Sequence, residues 1–104
     1  MNVGDKVIVR SSQSGCWYGR LAPTPAQFAA ADTVTLIGAR RLWRWWAAEG
    51  VSLSGVAAAG LHRDHLHECR IAAPVAEAVV LGVCEVLAVG DIASASIEAQ
   101  EARA

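Results

Sequence analysis

Thr33-Val34-Thr35-Leu36-Ile37-Gly38-Ala39-Arg40-Arg41-Leu42-Trp43-Arg44-Trp45-Trp46 is the stretch on which the fold turns. Its first five residues are β-branched or aliphatic and read as a strand. Gly38 marks a kink, and the strand then continues through an arginine–tryptophan run. Side chains alternate along a strand, so Arg41, Trp43 and Trp45 take one face, and Arg40, Leu42, Arg44 and Trp46 take the other. Three of the four tryptophans and three of the nine basic residues fall in the last eight positions of this stretch. Rings interleaved with guanidiniums suit a flat or anionic partner: a nucleobase, a nucleotide or a second copy of the chain.

Upstream, Lys6 to Arg10 is a β-branched run and reads as a first strand, and Cys16 to Leu21 as a second, with Gly19 at a bulge or a close backbone approach. The polar turn from Ser11 to Gly15 makes the two an antiparallel hairpin. Ala22 to Asp32, with Pro23 and Pro25, reads as a loop with one helical turn after Pro25. Downstream the period changes. Ser52 is placed to cap a short helix carrying Leu53, Val56, Ala57 and Leu61, and Gly60 to stop it. His62 to Glu68 reads as a charged connection and Cys69 to Ala73 as a short strand. Residues 74–81 and 82–89 read as strand material, with a bend or bulge at Gly82. Asp91 is the expected N-cap of a last helix to about Gln100, with Ile92 and Ile97 as its apolar contacts. These elements predict one α+β, mainly β domain over residues 1–104: a small, strongly curved antiparallel sheet or barrel of five to six strands, with a short inserted helix and a C-terminal helix.

Composition narrows the functional classes. At 104 residues and 54% hydrophobic content, the chain carries more apolar surface than one small core hides, which favours a homo-oligomer. The net charge of −1 argues against general nucleic-acid affinity. That charge is divided, however. Residues 1–46 hold six basic and two acidic residues, and residues 47–104 hold three basic and eight acidic ones. Such halves suit head-to-tail packing or a basic patch for an anionic ligand. No secretory leader and no membrane span are read, and three cysteines without a framework spacing read as reduced thiols.

Val7 to Arg10, Trp17 to Leu21, Val34 to Leu36 running on through Ala39 to Trp45, Ser52-Leu53-Ser54 with Gly60, Pro74 to Glu77 and Val83 to Leu87 together form a pattern. It resembles a family of small uncharacterised bacteriophage and prophage proteins, classed as a domain of unknown function, over roughly residues 5 to 98. The loop from Ala22 to Asp32 and the His-rich segment from His62 to Cys69 depart from that pattern. The resemblance implies a phage product acting in the host cytoplasm. Gly19-x-Leu21 with Asp32-x-Val34-x-Leu36 is also similar to the first signature of Sm-like small barrels.

The candidate ligand-binding or subunit-interface residues are therefore Arg40, Arg41, Trp43, Arg44, Trp45 and Trp46, with Trp17 and Tyr18 from the neighbouring strand. His62, His65, His67 and Cys69 make the one metal-like constellation, since an extended segment would point the last three the same way. A structural zinc site brings a second ligand pair, which the sequence lacks, so neither a metal nor another cofactor is expected. Cys16 and Cys84 read as small buried hydrophobes, and Glu77 and Glu85 as strand carboxylates. The first functional expectation is a non-enzymatic, self-assembling accessory protein that binds a host component in counter-defence. The second is a protein that sequesters an anionic nucleotide signal between subunits. The third is a zinc-dependent or carboxylate enzyme. Nucleic acid and membrane are not expected partners.

Overall fold

A computed structural model describes residues 1–48 and 52–102. The first hairpin is β1 (Lys6–Ser11) and β2 (Gly15–Ala22), paired antiparallel with Ile8 opposite Tyr18 and Val9 opposite Trp17. One 3-10 turn, Ala26–Phe28, follows Pro25. The decisive stretch forms β3 (Val34–Arg44), the longest strand described. It ends at Arg44, so Trp45 and Trp46 lie beyond it rather than within it. Helix α1 (Leu53–Ala59) starts where expected: the Ser52 hydroxyl accepts from the Gly55 amide, and the chain leaves the helix at Gly60.

His62 to Glu68 is not an extended connection. Arg63–Glu68 winds into tight 3-10 turns, with the His62 ring accepting from the Asp64 amide. Three short strands follow: β4 (Arg70–Ile71), β5 (Val75–Val80) and β6 (Val83–Ala88). The last helix is α2 (Asp91–Glu98). Its N-cap is Gly90, so Asp91 sits in the first turn, where a carboxylate still complements the helix dipole.

All pairings are antiparallel. The sheet order is β4-β3-β2-β1-β6, and β5 pairs with the N-terminal half of β3 on the edge whose C-terminal half holds β4. Among the described residues no ladder joins β5 to β6, so the six-stranded sheet is not closed. Gly19 does what its position predicts. The β2–β3 register shifts between Tyr18 and Arg20, and a Cβ at Gly19 would stand 3.0 Å from Leu36 Cβ.

Alternation along the strands sorts the apolar side chains into two cores. One lies under the helices: Ile8, Cys16, Tyr18 and Leu42 pack against Leu53, Val56, Leu61, Ile71 and Ile97. The other draws on strands alone: Val7, Val9, Leu36, Ala39 and Val80, with Trp17, Val83 and Val86 around them. Ile92 is 84% exposed, so α2 is held by Ile97, Ala93 and Ser94 instead of by both isoleucines. Cys84 is also exposed, with its thiol on the Arg10 carbonyl, whereas Cys16 is buried and its thiol pKa is pushed up by desolvation. Among the described residues no helix is long and apolar enough to cross a membrane.

Candidate functional site

The arginine–tryptophan run separates into three groups. Arg40 and Tyr18 face the helix-covered core. Arg40 is only 5% exposed, and its guanidinium is committed to backbone carbonyls. Nε donates to Ala72 O at 2.8 Å, Nη1 to Ile97 O at 2.9 Å and Nη2 to Gln100 O at 2.8 Å. The last two carbonyls belong to the C-terminal end of α2 and the residues after it, the negative end of the helix dipole. Burial lowers the Arg40 pKa from its ordinary value, while the nearby Glu98 carboxylate opposes that. Arg40 thus fastens α2 to the sheet.

Tyr18, opposite Arg40 in the ladder, donates its hydroxyl to the Glu98 carboxylate, which Lys6 Nζ also approaches at 3.2 Å. The Tyr18 hydrogen bond, together with Lys6, holds the Glu98 pKa below its usual range. Desolvation first, and then the bond to Glu98, raises that of Tyr18. These side chains, with Arg20, Ile37 and Gly38, line a cleft of about 420 Å³.

The second group faces the other way. Arg41 lies opposite Trp17, and its guanidinium carbon sits 4.3 Å from the Trp17 ring centroid and 4.9 Å from that of Trp43. One cation is held between two indoles. Its Nε is buried and makes no hydrogen bond. A register shift between Leu42 and Arg44 then changes the expected alternation. Leu42 pairs with buried Ile71, and Arg44 pairs with exposed Arg70. The bulge therefore brings Arg44 onto the face of Arg41 and Trp43, away from Leu42. Trp43 is 55% exposed. Among the described residues, none of Arg41, Arg44 and Arg70 has a carboxylate within 4.0 Å. Two arginines directly across a ladder repel, so among the described residues this end of the sheet is a cationic surface.

The third group closes over the histidines. Trp45 packs on the helix-side core, not with Arg41 and Trp43. Trp46 stacks on His65 with centroids 4.6 Å apart and planes 20° from parallel, and His65 meets His62 edge-on at 4.8 Å. His65 Nδ1 lies 2.9 Å from Glu68, and the Cys69 thiol is buried on the His65 carbonyl. The 3-10 turns rotate His65, His67 and Cys69 away from the common direction an extended segment would give them. Among the described residues no three His, Cys, Asp or Glu side chains converge as metal ligands. Glu77 stands exposed on β5, while Glu85 on β6 approaches Arg10 at 3.5 Å.

Sequence reasoning passed over Arg70. The signal was present, since Arg70 is the only cation beside the short strand before Pro74, but its pairing with Arg44 depends on a bulge that spacing does not reveal. No curated protein and no solved structure matches the chain. A family model described as a domain of unknown function, DUF6948, matches residues 4–97, which takes in both hairpin strands, the arginine–tryptophan strand and nearly all of α2. The chain belongs to the DUF6948 family of domains of unknown function.

Proposed function

We propose that this domain is a non-enzymatic binding module that presents the face built from Trp17, Arg41, Trp43, Arg44 and Arg70 to an anionic partner. One observation carries the reading: three guanidiniums share a face with two indoles and, among the described residues, have no carboxylate within 4.0 Å. A like-charge cross-strand pair is unfavourable unless an anion lies between its members. Charge reversal tests the proposal. Wild-type protein binds inorganic polyphosphate at low salt, and the Arg44→Glu/Arg70→Glu double variant loses that binding while its circular dichroism is unchanged. Equal binding by both proteins defeats the reading.

Self-assembly is a second reading, favoured by the apolar side chains left at the surface: Trp43, Trp46, Val75, Leu81 and Ile92. A face-to-face pair through the arginine face would set cation against cation, so the copies would meet elsewhere, with Ile92 and Val75 as candidates. Light scattering during size exclusion measures the subunit number, and a monomer at high concentration removes this reading. The phage origin, the host component and the host cytoplasm belong to the same proposal and rest on the resemblance described above. The strongly curved sheet is also proposed. β5 and β6 lie on opposite edges yet are linked only by Leu81 and Gly82, and the strand-only core has no helix to cover it.

A further inference from the structure

We infer that the anion this face takes is a single-stranded nucleic acid, with a base stacked on the Trp43 indole and phosphates on Arg41, Arg44 and Arg70; this rests on the reading of the face as anion-binding. Trp43 carries the argument. One side of its ring meets the Arg41 guanidinium, and more than half of the residue is open to solvent at 55% exposure. An indole that projects in this way, rather than lying in a recess, is a platform for an unstacked aromatic ring. Small-molecule sites instead enclose most of their ligand. Arg41, clamped between Trp17 and Trp43, is held in place before any ligand arrives, which lowers the ordering cost of binding. The Arg44–Arg70 pair adds two cations at the strand end, within one register step of the ring. Interleaved guanidiniums and rings match the phosphate–base alternation of a single strand. A duplex keeps its bases stacked inside and offers this ring nothing to stack on.

The net charge of −1 does not oppose this. Screening restricts exposed charges to a range of about 8–10 Å at physiological salt, so a phosphate senses the local set of three arginines and not the whole-chain sum. Among the described residues, three carboxylates are engaged elsewhere: Glu98 with Lys6 and Tyr18, Glu85 with Arg10, and Glu68 with His65.

The test is a binding titration by anisotropy of a labelled oligothymidylate of about 12 nucleotides, a length that covers one small binding site. Inorganic polyphosphate and a duplex of equal length are the comparison arms. Three phosphate contacts give a slope of log affinity against log salt near −2, so affinity falls roughly sixteen-fold between about 50 and about 200 mM salt. Trp43→Ala weakens oligonucleotide binding roughly ten-fold or more while leaving polyphosphate binding nearly unchanged. Because Trp43 is exposed, this variant keeps the fold, and Arg44→Ala/Arg70→Ala provides an independent check by lowering the slope to about −0.7. Arg20→Ala, in the cleft on the other side of the sheet, leaves both values as they are. An oligonucleotide that binds no better than polyphosphate and is indifferent to Trp43→Ala overturns the inference while the anion-binding reading stands. A duplex that binds as well as the single strand overturns it too. If neither polyanion binds, both readings fall together.

Discussion

Arg40 and Arg41 are neighbours on one strand, chemically identical, and their surroundings could hardly differ more. Arg40 points under the helices, where four backbone carbonyls at the end of α2 and beyond β4 take its donors. Arg41 takes the opposite face, where two indoles hold it and, among the described residues, no carboxylate meets it. The difference comes from the two-residue period of the strand, which assigns one residue to fold maintenance and the next to an exposed surface. Adjacent basic residues in a β-strand are therefore poor evidence for a basic patch until the buried face is known. Here the patch gains its second and third cations from a bulge at Arg44 and from Arg70 on a different strand.

The sharpest way to break this contrast is Arg40→Ala. It removes a buried cation and takes a charged donor from the carbonyls of Ala72, Ile97 and Gln100, of which Ile97 O keeps the Gln100 amide. Charge-assisted bonds of this kind contribute about 1.5–3 kcal/mol each, and the expected loss is about 3 kcal/mol in a urea melt. Arg40→Lys recovers little, because a single ammonium cannot span donors fixed in a planar fork. A loss below about 1 kcal/mol would mean that α2 does not depend on this anchor. Gly60→Ala attacks the same helix-covered side from the other end. Gly60 has φ +87°, and a Cβ there would come within 2.6 Å of Ser96 Oγ and 3.1 Å of Ala93 Cα. Left-handed strain and a clash with the α2 backbone together are expected to cost about 2 kcal/mol, read as a lower Tm.

Tyr18→Phe has a smaller effect but a distinctive pH dependence. Loss of the hydroxyl bond to Glu98 is expected to cost about 1 kcal/mol at neutral pH. The folded-state pKa of Glu98 is depressed, first by Tyr18. Its contribution is therefore present above the unfolded carboxylate value and is lost as pH falls through the folded one. The Tyr18 pKa is raised, so its contribution is present below the ordinary tyrosine value and declines as pH climbs past it. The wild type and Tyr18→Phe should therefore converge in stability at both acidic and alkaline extremes. Parallel pH curves would show that the pair contributes nothing to linkage.

Local chemistry made much of this architecture legible. The β-branched run at Val7 to Val9, the Ser52 cap and the close approach at Gly19 each report a constraint that acts within a few residues, and each appears where expected. What stayed hidden depends on tertiary partners. Ile92 and Ile97 are equal in hydrophobicity but stand about 140° apart around the helix, and only the position of α2 against the sheet decides that Ile97 is the buried one. Cys84 lies in an apolar run, but its strand is at the sheet edge and turns it outward. The histidine segment was ambiguous for a different reason. The stacking of His65 on Trp46 and its bond to Glu68 favour tight turns that no periodic pattern announces. For the candidate site, the ring-and-arginine composition was visible and the membership was not, since strand alternation takes Arg40 to the buried side and a bulge brings Arg44 beside Arg70 on the other.

Arg41→Ala gives the smallest stability effect and returns to the opening contrast. An exposed cation–π contact contributes about 0.5–1 kcal/mol, and the buried Nε that lacks a hydrogen bond offsets part of that. The net change in stability is expected to lie below about 1 kcal/mol, close to experimental error. Its consequence for the surface is larger, because Trp43 loses the cation that braces one side of its ring. Tryptophan emission from Trp17 and Trp43 should shift to the red as both rings gain water, with the unfolding midpoint almost unmoved. Matched destabilisation by Arg40→Ala and Arg41→Ala would abolish the division of labour between the two sides of β3, and the outward arginine would then have to be counted as part of the scaffold.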